Sequence, residues 1–290
     1  MCARPDPAPR RPRLQMPALS CDSHAHVFGP QAKYAYSAAR IYTPPDALPS
    51  TYRGLLDSLG VERAVLVQPS VYGTDNTALL DALAADPVRQ RGVVTIDAQT
   101  PFSELQHMDT LGVRGVRCNI VDVKEGKGQL PLTQLRALAK RIRPLGWHLE
   151  FLMHVDEFAD LDKLLADFPV DVVFGHLGYL APGLTADDPG FAALLRLLRG
   201  GRAWVKLTGP YRISRHAMPH GDVTPMARAL VQAAPERIVW GTDWPHVMVK
   251  GAMPNDGDLC DLLADWVPDA EDRHRVLVSN PARLYGFTQA

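Results

Sequence analysis

Three histidines and one aspartate have the spacing of an acid–base or metal site. His24 and His26 lie two residues apart in the segment Asp22-Ser23-His24-Ala25-His26, and His176 and Asp243 each follow a short apolar run. Because side chains alternate along a strand, Asp22, His24 and His26 are predicted to share one face. A carboxylate buried among histidines is a suitable general base for activating water. The same donor types also bind divalent metals.

Short apolar, β-branched runs alternate with amphipathic segments along most of the chain. The runs predict strands at Leu19–His26, Arg63–Gln68, Gly92–Asp97, Val113–Asn119, His148–Met153, Asp171–Gly175, Ala203–Leu207 and Ile238–Gly241. The segments between them predict helices, among them Tyr52–Leu59, Thr77–Ala84, Leu132–Ile142, Asp156–Asp167 and Phe191–Leu198. Near-continuous apolar strands separated by helices indicate a parallel sheet covered on its outer face. Eight such units predict an α/β fold, a distorted (β/α)8 TIM barrel. An open doubly wound sheet would carry a glycine-rich phosphate turn after its first strand, where this chain has His-Ala-His.

The domain organisation is predicted to be simple. Residues 18–290 form a single barrel domain, and residues 1–17 form a disordered N-terminal tail. The tail contains Arg10, Arg11, Arg13 and several prolines, and it lacks the apolar stretch of a secretory signal. Met16 is an alternative start of translation.

The candidate residues are predicted to converge at one end of this barrel. Barrel enzymes build their active sites at the C-terminal ends of the strands and in the loops that follow. His24 and His26 end the first predicted strand, His176 follows the sixth and Asp243 follows the eighth. The long segment 28–50 leaves the same end and is predicted to be a lid or a substrate-contacting loop, since long irregular loops in compact domains are usually functional.

The arrangement resembles the amidohydrolase superfamily. The resemblance is carried by the H-x-H segment, by His176 and by Gly241-Thr242-Asp243-Trp244-Pro245-His246. It is carried further by Val67-Gln68-Pro69-Ser70, Gly73-Thr74-Asp75-Asn76, Gly112–Arg117 and Lys206–Arg212. Within the superfamily, the chain is similar to the branch of 2-pyrone-4,6-dicarboxylate lactonase-like hydrolases, which includes sulfomuconolactone and sugar lactone hydrolases. This resemblance implies a carboxylic ester hydrolase that opens a small anionic lactone of the pyrone dicarboxylate, muconolactone or sugar-acid lactone type. It implies that Asp243 activates water while His24, His26 and His176 polarise the lactone carbonyl and stabilise the oxyanion.

The resemblance also implies a set of substrate-binding residues. The matching positions for holding substrate carboxylates are Tyr42, Ser70, Arg117 and Arg212. Strand alternation places Arg117 on the inner face and Arg114 on the outer face, and the planar guanidinium of Arg117 suits a carboxylate. Two positions depart from the family pattern, because Lys124 and Tyr179 stand where the dicarboxylate enzyme has arginines. Both are predicted to face the substrate, as is His246 in the loop after the eighth strand, which is also a candidate for orienting Asp243. Fewer arginines argue against the pyrone dicarboxylate itself as the substrate.

The same residues leave a metal-dependent alternative open. A binuclear centre needs a bridging lysine or glutamate at the end of the fourth strand, which here ends Arg117-Cys118-Asn119. A metal-free site is favoured, and one divalent metal, with zinc the leading candidate, is the alternative; its ligands would be drawn from His24, His26, His154, His176 and Asp243. In that case the chain would be a zinc-dependent hydrolase or decarboxylase acting on a small carboxylated aromatic or ring-derived substrate. A third hypothesis, an inactive binding or scaffold barrel, does not account for a complete set of base and electrophilic partners.

Composition limits the classes of partner. The net charge of −1 gives no indication of binding to nucleic acid or to anionic membranes. The four cysteines form no C-x-x-C pair and predict reduced thiols in a cytoplasmic protein. The predicted partner is a small anionic lactone or carboxylate, and assembly into a homo-oligomer is left open.

Overall fold

The computed structural model describes residues 1–121 and 128–288 of the chain. Within these residues, eight parallel strands form one sheet in the order β1 to β8, so each strand pairs with its neighbour in sequence. The strands are β1 (Cys21–Ala25), β2 (Arg63–Val67), β3 (Gln90–Val94), β4 (Val113–Asn119), β5 (His148–Leu152), β6 (Val172–Phe174), β7 (Ala203–Leu207) and β8 (Ile238–Trp240). The α-helices are α1 (Pro49–Leu59), α2 (Thr77–Ala85), α3 (Phe102–Thr110), α4 (Leu132–Ile142), α5 (Leu161–Leu164), α6 (Pro189–Arg199), α7 (Thr224–Ala233), α8 (Asp256–Trp266), α9 (Ala270–His274) and α10 (Asn280–Tyr285).

The predicted TIM barrel is confirmed, and each predicted strand overlaps an observed one. One predicted helix is wrong. The segment Asp156–Asp167 is a 3-10 turn at Val155–Glu157 followed by the single turn of α5. Between the two turns Phe158 has φ −134° and ψ 77°, outside the helical region, and its side chain is buried in the core. Burial of this ring in the hydrophobic core outweighs the helical periodicity of the segment.

The barrel closes beside the candidate residues. β1 and the segment after β8 are joined by a parallel bridge between Ala25 and Trp244. The Asp243 amide donates to the His24 carbonyl oxygen at 2.8 Å, and the His26 amide donates to the Trp244 carbonyl oxygen at 2.8 Å. Closure of the sheet therefore places Asp243 next to both histidines of β1, although the residues are more than 200 positions apart in the chain.

A bulge in β1 changes which of its side chains face the barrel interior. Cys21 and Asp22 pair with Arg63 and Ala64, but Ala25 pairs with Leu66, so three steps along β1 match two along β2. The prediction that Asp22 shares a face with His24 and His26 is therefore wrong. The Asp22 carboxylate accepts from the Tyr52 hydroxyl of α1 at 2.8 Å and from the Thr242 hydroxyl at 2.6 Å. Asp22 therefore links β1 to α1 and to the segment after β8 and does not enter the site, because the extra residue in the bulge shifts the alternation of side chains.

The N-terminal segment lies against α8. Arg10 and Arg13 both contact the Asp261 carboxylate, and Arg10 also pairs with Asp258. The division into a disordered tail and a barrel stays a prediction. Within the described part of the chain, no helix combines the length and hydropathy needed to cross a bilayer.

Candidate active site

A small cavity opens at the C-terminal end of the barrel. Its volume is about 140 Å³, close to the ~150 Å³ cavity that accommodates a benzene ring in another protein, so it suits a ligand with a single ring. It is lined by His26, Ile41, Tyr42, Ser70, Arg117, Asn119, Val121, Leu152, His176, Tyr179, Arg212, Asp243, Val247 and Met248. Two of these residues, Ile41 and Tyr42, come from the loop 28–50, which therefore reaches the cavity.

The Asp243 carboxylate is held by one oxygen and exposes the other. Oδ2 accepts from the Tyr211 hydroxyl at 2.6 Å and from the Arg212 Nε at 2.7 Å. Oδ1 is buried without a hydrogen-bond partner among the described groups and lies 3.6 Å from the His24 Nε2 and 3.8 Å from the His26 Nε2. A carboxylate clamped in this way presents a single basic oxygen in a fixed direction.

The electrostatic surroundings keep this carboxylate ionised. Burial by itself would raise the pKa of Asp243, but the Arg212 guanidinium and the neighbouring histidines outweigh it and hold the pKa well below 3.8. Arg212 therefore acts on Asp243 as well as lining the cavity. Its Nη2 also donates to the Val247 carbonyl oxygen at 3.1 Å, which ties the guanidinium to the loop after β8.

His26 is oriented by a backbone carbonyl. Its Nδ1 lies 2.7 Å from the Val67 carbonyl oxygen, and since a carbonyl oxygen can only accept, Nδ1 carries the proton. Burial, followed by the charge of Arg117, lowers the pKa of His26 to about 4, so the ring is neutral near pH 7. The Nε2 that faces Asp243 is then a lone pair and not a donor.

His24 sits over a buried ion pair in the barrel interior. The Lys206 Nζ contacts the Glu150 Oε2 at 2.7 Å and donates to the Ser23 carbonyl oxygen at 2.7 Å. The His24 Nδ1 lies 3.2 Å from the Glu150 Oε1 and 3.3 Å from the Lys206 Nζ. Burial and then the Lys206 charge lower the pKa of His24 well below 6.5. Glu150 favours a proton on Nδ1 and Lys206 favours a lone pair there, so the two partners of this ion pair have opposite effects on the tautomer of His24.

His176 approaches from β6 in a constrained backbone conformation. Its ring centroid lies 5.3 Å from that of His24, and burial lowers its pKa to about 3. His176 has φ +49° and Asp243 has φ +67°, both in the left-handed region that costs a non-glycine residue about 1–2 kcal/mol. Gly209 after β7 leaves room for both, because a Cβ there would lie 2.8 Å from the His176 Nδ1 and 3.0 Å from the Asp243 Oδ2.

His246 lies behind the cavity and not among its lining residues. Its ring is buried, with Nδ1 2.9 Å from the Tyr211 hydroxyl and Nε2 3.0 Å from the Asp256 Oδ1 of α8. The row Asp256, His246, Tyr211 and Asp243 is thus joined by contacts of 3.0 Å or less. Two roles were considered for His246. These contacts do not support contact with the substrate, and they do support orientation of Asp243 through Tyr211.

The remaining predicted substrate-binding residues lie on the cavity wall, apart from one. Tyr42 and Ser70 both lie on this wall, and the Arg117 Nη1 donates to the Gln68 carbonyl oxygen at 2.6 Å. Arg114 instead contacts Asp109 of α3 on the outside of the barrel at 3.1 Å, as alternation predicts. The predicted site residue Lys124 lies outside the described residues.

A metal-capable group is also present in the described part of the chain. It consists of His24, His26 and Asp243, which each offer one ligand atom, all within 4.8 Å of one another. This group is smaller than the predicted ligand set, because His154 and His176 are not part of it. The His154 Nδ1 lies 2.6 Å from the Tyr179 carbonyl oxygen, and the two rings stack with centroids 4.7 Å apart.

Four supporting residues were not predicted to act in the site: Glu150, Lys206, Tyr211 and Asp256. Lys206 and Tyr211 both belong to the motif Lys206–Arg212, and alternation along β5 from His148 is a usable signal that Glu150 lies on the inner face. Asp256 has no such signal, since it lies ten residues beyond His246 at the start of a different helix.

Comparison with known proteins identifies the family of this chain. The amidohydrolase family model matches residues 21–287. The 4-sulfomuconolactone hydrolase of Hydrogenophaga intermedia is 40% identical over 94% of this chain and 91% of its own length. The 2-pyrone-4,6-dicarboxylate hydrolase of Comamonas testosteroni is 37% identical over 96% and 93%. An apo crystal structure from Agrobacterium tumefaciens superposes with a TM-score of 0.86 at 31% identity, over 96% of this chain and 100% of that one. The chain belongs to the amidohydrolase family.

Proposed function

We propose that this protein is a hydrolase that opens a small anionic lactone. The observation that carries the proposal is the Asp243 carboxylate, which is clamped through Oδ2 and presents a bare Oδ1 to a cavity that Arg117 also lines. A fixed base beside a cationic group suits water attack on a substrate that bears an acid group. The names of the relatives support the same class of reaction.

Asp243 acts as the general base in this proposal. Its low pKa keeps it ionised, and Oδ1 takes a proton from water as the water oxygen attacks the lactone carbonyl carbon. The ring C–O bond then breaks, and the leaving ring oxygen receives the proton from Asp243. The base returns to its ionised state, and the product is a hydroxy acid or its keto tautomer.

The histidines have separable roles. His24 is not among the residues that line the cavity, but its unpartnered Nε2 lies 3.6 Å from the Asp243 Oδ1, so it donates to the developing oxyanion when Lys206 occupies its Nδ1. His26 in its neutral form accepts at Nε2, so it serves to position water or to bind a cation. His176 lines the cavity beside Asp243 and is the second candidate donor to the oxyanion.

The donor set also fits a divalent cation. His26 is oriented through its Nδ1 by the Val67 carbonyl and His24 by the Glu150 carboxylate, which is the outer-shell arrangement typical of metal-binding histidines. The unpartnered His24 Nε2 and Asp243 Oδ1 are both buried. A bound zinc ion would act as a Lewis acid on the carbonyl and lower the pKa of water. The preference for a metal-free site stays a prediction.

The test is ring opening by the purified protein on a panel of lactones. We expect hydrolysis of at least one of 2-pyrone-4,6-dicarboxylate, 4-sulfomuconolactone and muconolactone. The reaction is measured as the loss of absorbance of the lactone ring. Asp243→Asn is expected to lower kcat by about 10²- to 10⁴-fold. Asp167→Asn, at a side chain that is 80% exposed, is the matched control and is expected to retain activity. Unchanged turnover in Asp243→Asn would show that Asp243 is not the base.

A further inference from the structure

The walls of the cavity differ in character. Arg117, Arg212, Ser70 and Tyr42 supply cations and hydroxyls, whereas the aliphatic side chains of Ile41, Val121, Leu152, Val247 and Met248 supply an apolar surface. Such a division indicates a ligand with one polar end and one apolar end.

The cations of the cavity are not equivalent. Arg212 is paired with Asp243 at 2.7 Å, so its charge is already balanced. Among the described lining residues, Arg117 has no carboxylate partner and donates to a neutral oxygen, the Gln68 carbonyl. Burying a charged group is costly unless it is paired. The described lining therefore provides a counter-ion for one acid group of the ligand.

The mouth of the cavity is apolar and exposed. Ile41 is 59% exposed and Met248 is 49% exposed, which makes them two of the few large apolar side chains at the surface. They come from different loops, after β1 and after β8, and both line the same cavity. A ligand whose outer part is apolar would cover them, whereas an acid group placed there would meet no cation among the described lining residues.

We propose that the substrate carries a single acid group held by Arg117, Ser70 and Tyr42, and an uncharged, apolar part against Ile41 and Met248. The inference rests on the proposed lactone hydrolysis and narrows its substrate class to monoanionic lactones. It sets this chain apart from relatives whose names specify a sulfonate or two carboxylates. Hydrolysis creates a second carboxylate, which the cavity holds less well, so product release is favoured.

The test compares two lactones that differ by one charge. Muconolactone and 4-sulfomuconolactone share a ring and a carboxymethyl group, and only the second carries a sulfonate. We expect kcat/KM for muconolactone to exceed that for 4-sulfomuconolactone by at least about fivefold. Met248→Lys should raise the relative kcat/KM for the sulfonate about fivefold through ion pairing at the mouth. Met248→Leu, which keeps an apolar side chain without a charge, is the matched control and should leave the ratio unchanged. The exposure of Met248 makes both variants compatible with folding.

A binding experiment tests the proposed ligand class independently of the proposed reaction. Titration calorimetry with cyclopentanecarboxylate and cis-cyclopentane-1,3-dicarboxylate should give a lower Kd for the monoacid, with the difference abolished by Arg117→Gln. If no lactone is opened but the monoacid binds more tightly, the reaction is wrong and the ligand class stands. Tighter binding of the diacid, or preference for 4-sulfomuconolactone in the wild-type protein, overturns the inference and points to a second cation, for which Lys124 is the candidate predicted from sequence.

Discussion

Tyr211→Phe tests whether the clamp on Asp243 Oδ2 orients the base. The Tyr211 hydroxyl lies 2.6 Å from Oδ2, and Asp243 is fully buried and ionised. A hydrogen bond to a charged group contributes about 1.5–3 kcal/mol. If that whole contribution is lost from the transition state, kcat falls roughly 10- to 150-fold. KM should change little, since Tyr211 is not among the residues that line the cavity.

The assay is steady-state hydrolysis of the preferred lactone, with the urea midpoint of each variant measured to confirm folding. Tyr285→Phe is the matched control, because Tyr285 is also fully buried but its hydroxyl has no hydrogen-bond partner among the described groups. It should keep wild-type kcat. The reasoning is refuted if Tyr211→Phe turns over at the wild-type rate. A raised KM with unchanged kcat would instead place Tyr211 in contact with the substrate.

Three further predictions concern the site and the barrel. Gly209→Ala should lower kcat at least tenfold in the same assay, because the new Cβ would lie within about 3 Å of His176 and Asp243 at a φ of +58°; wild-type kinetics would contradict the close approach. As purified, the protein should contain well under one zinc ion per chain by elemental analysis and should keep its activity in a chelator; about one zinc ion per chain, with activity lost to the chelator, would instead show a metal-dependent site. Burial lowers the pKa of His148 to about 4, below the 6.5 of the unfolded chain, so stability is full above about pH 6.5 and falls as pH drops towards 4. Between pH 7 and pH 5, urea unfolding should show the wild type losing about 2 kcal/mol more than His148→Met; equal losses would mean that His148 titrates normally when folded.

The sequence was sufficient to predict the barrel and the convergence of the candidate site residues. Strands in a parallel barrel are buried on both faces and therefore read as apolar runs, so their positions follow from composition alone. Because parallel strands all end at the same rim, His24, His176 and Asp243 had to meet once the order of the strands was known. Because side chains alternate along β4, the sequence also predicted that Arg117 faces the inside of the barrel and Arg114 the outside.

Other features depended on contacts between distant segments. The bulge in β1 is a property of its pairing with β2, and no pattern within Asp22–His26 reveals it. The single helix predicted at Asp156–Asp167 fails because Phe158 packs into a core that exists only in the folded barrel.

The residue types and their order along the chain predict the available chemistry: a carboxylate, three histidines and arginines at the strand ends of one barrel. The orientation and protonation of each group depend on contacts that exist only in the folded barrel. The Val67 carbonyl sets the proton on His26, the Lys206–Glu150 pair acts on His24, and Tyr211 with Arg212 leaves Asp243 one bare oxygen. The physical reason is that protonation state and hydrogen-bond direction are set by the partners within about 3 Å of a side chain, and those partners come from other strands.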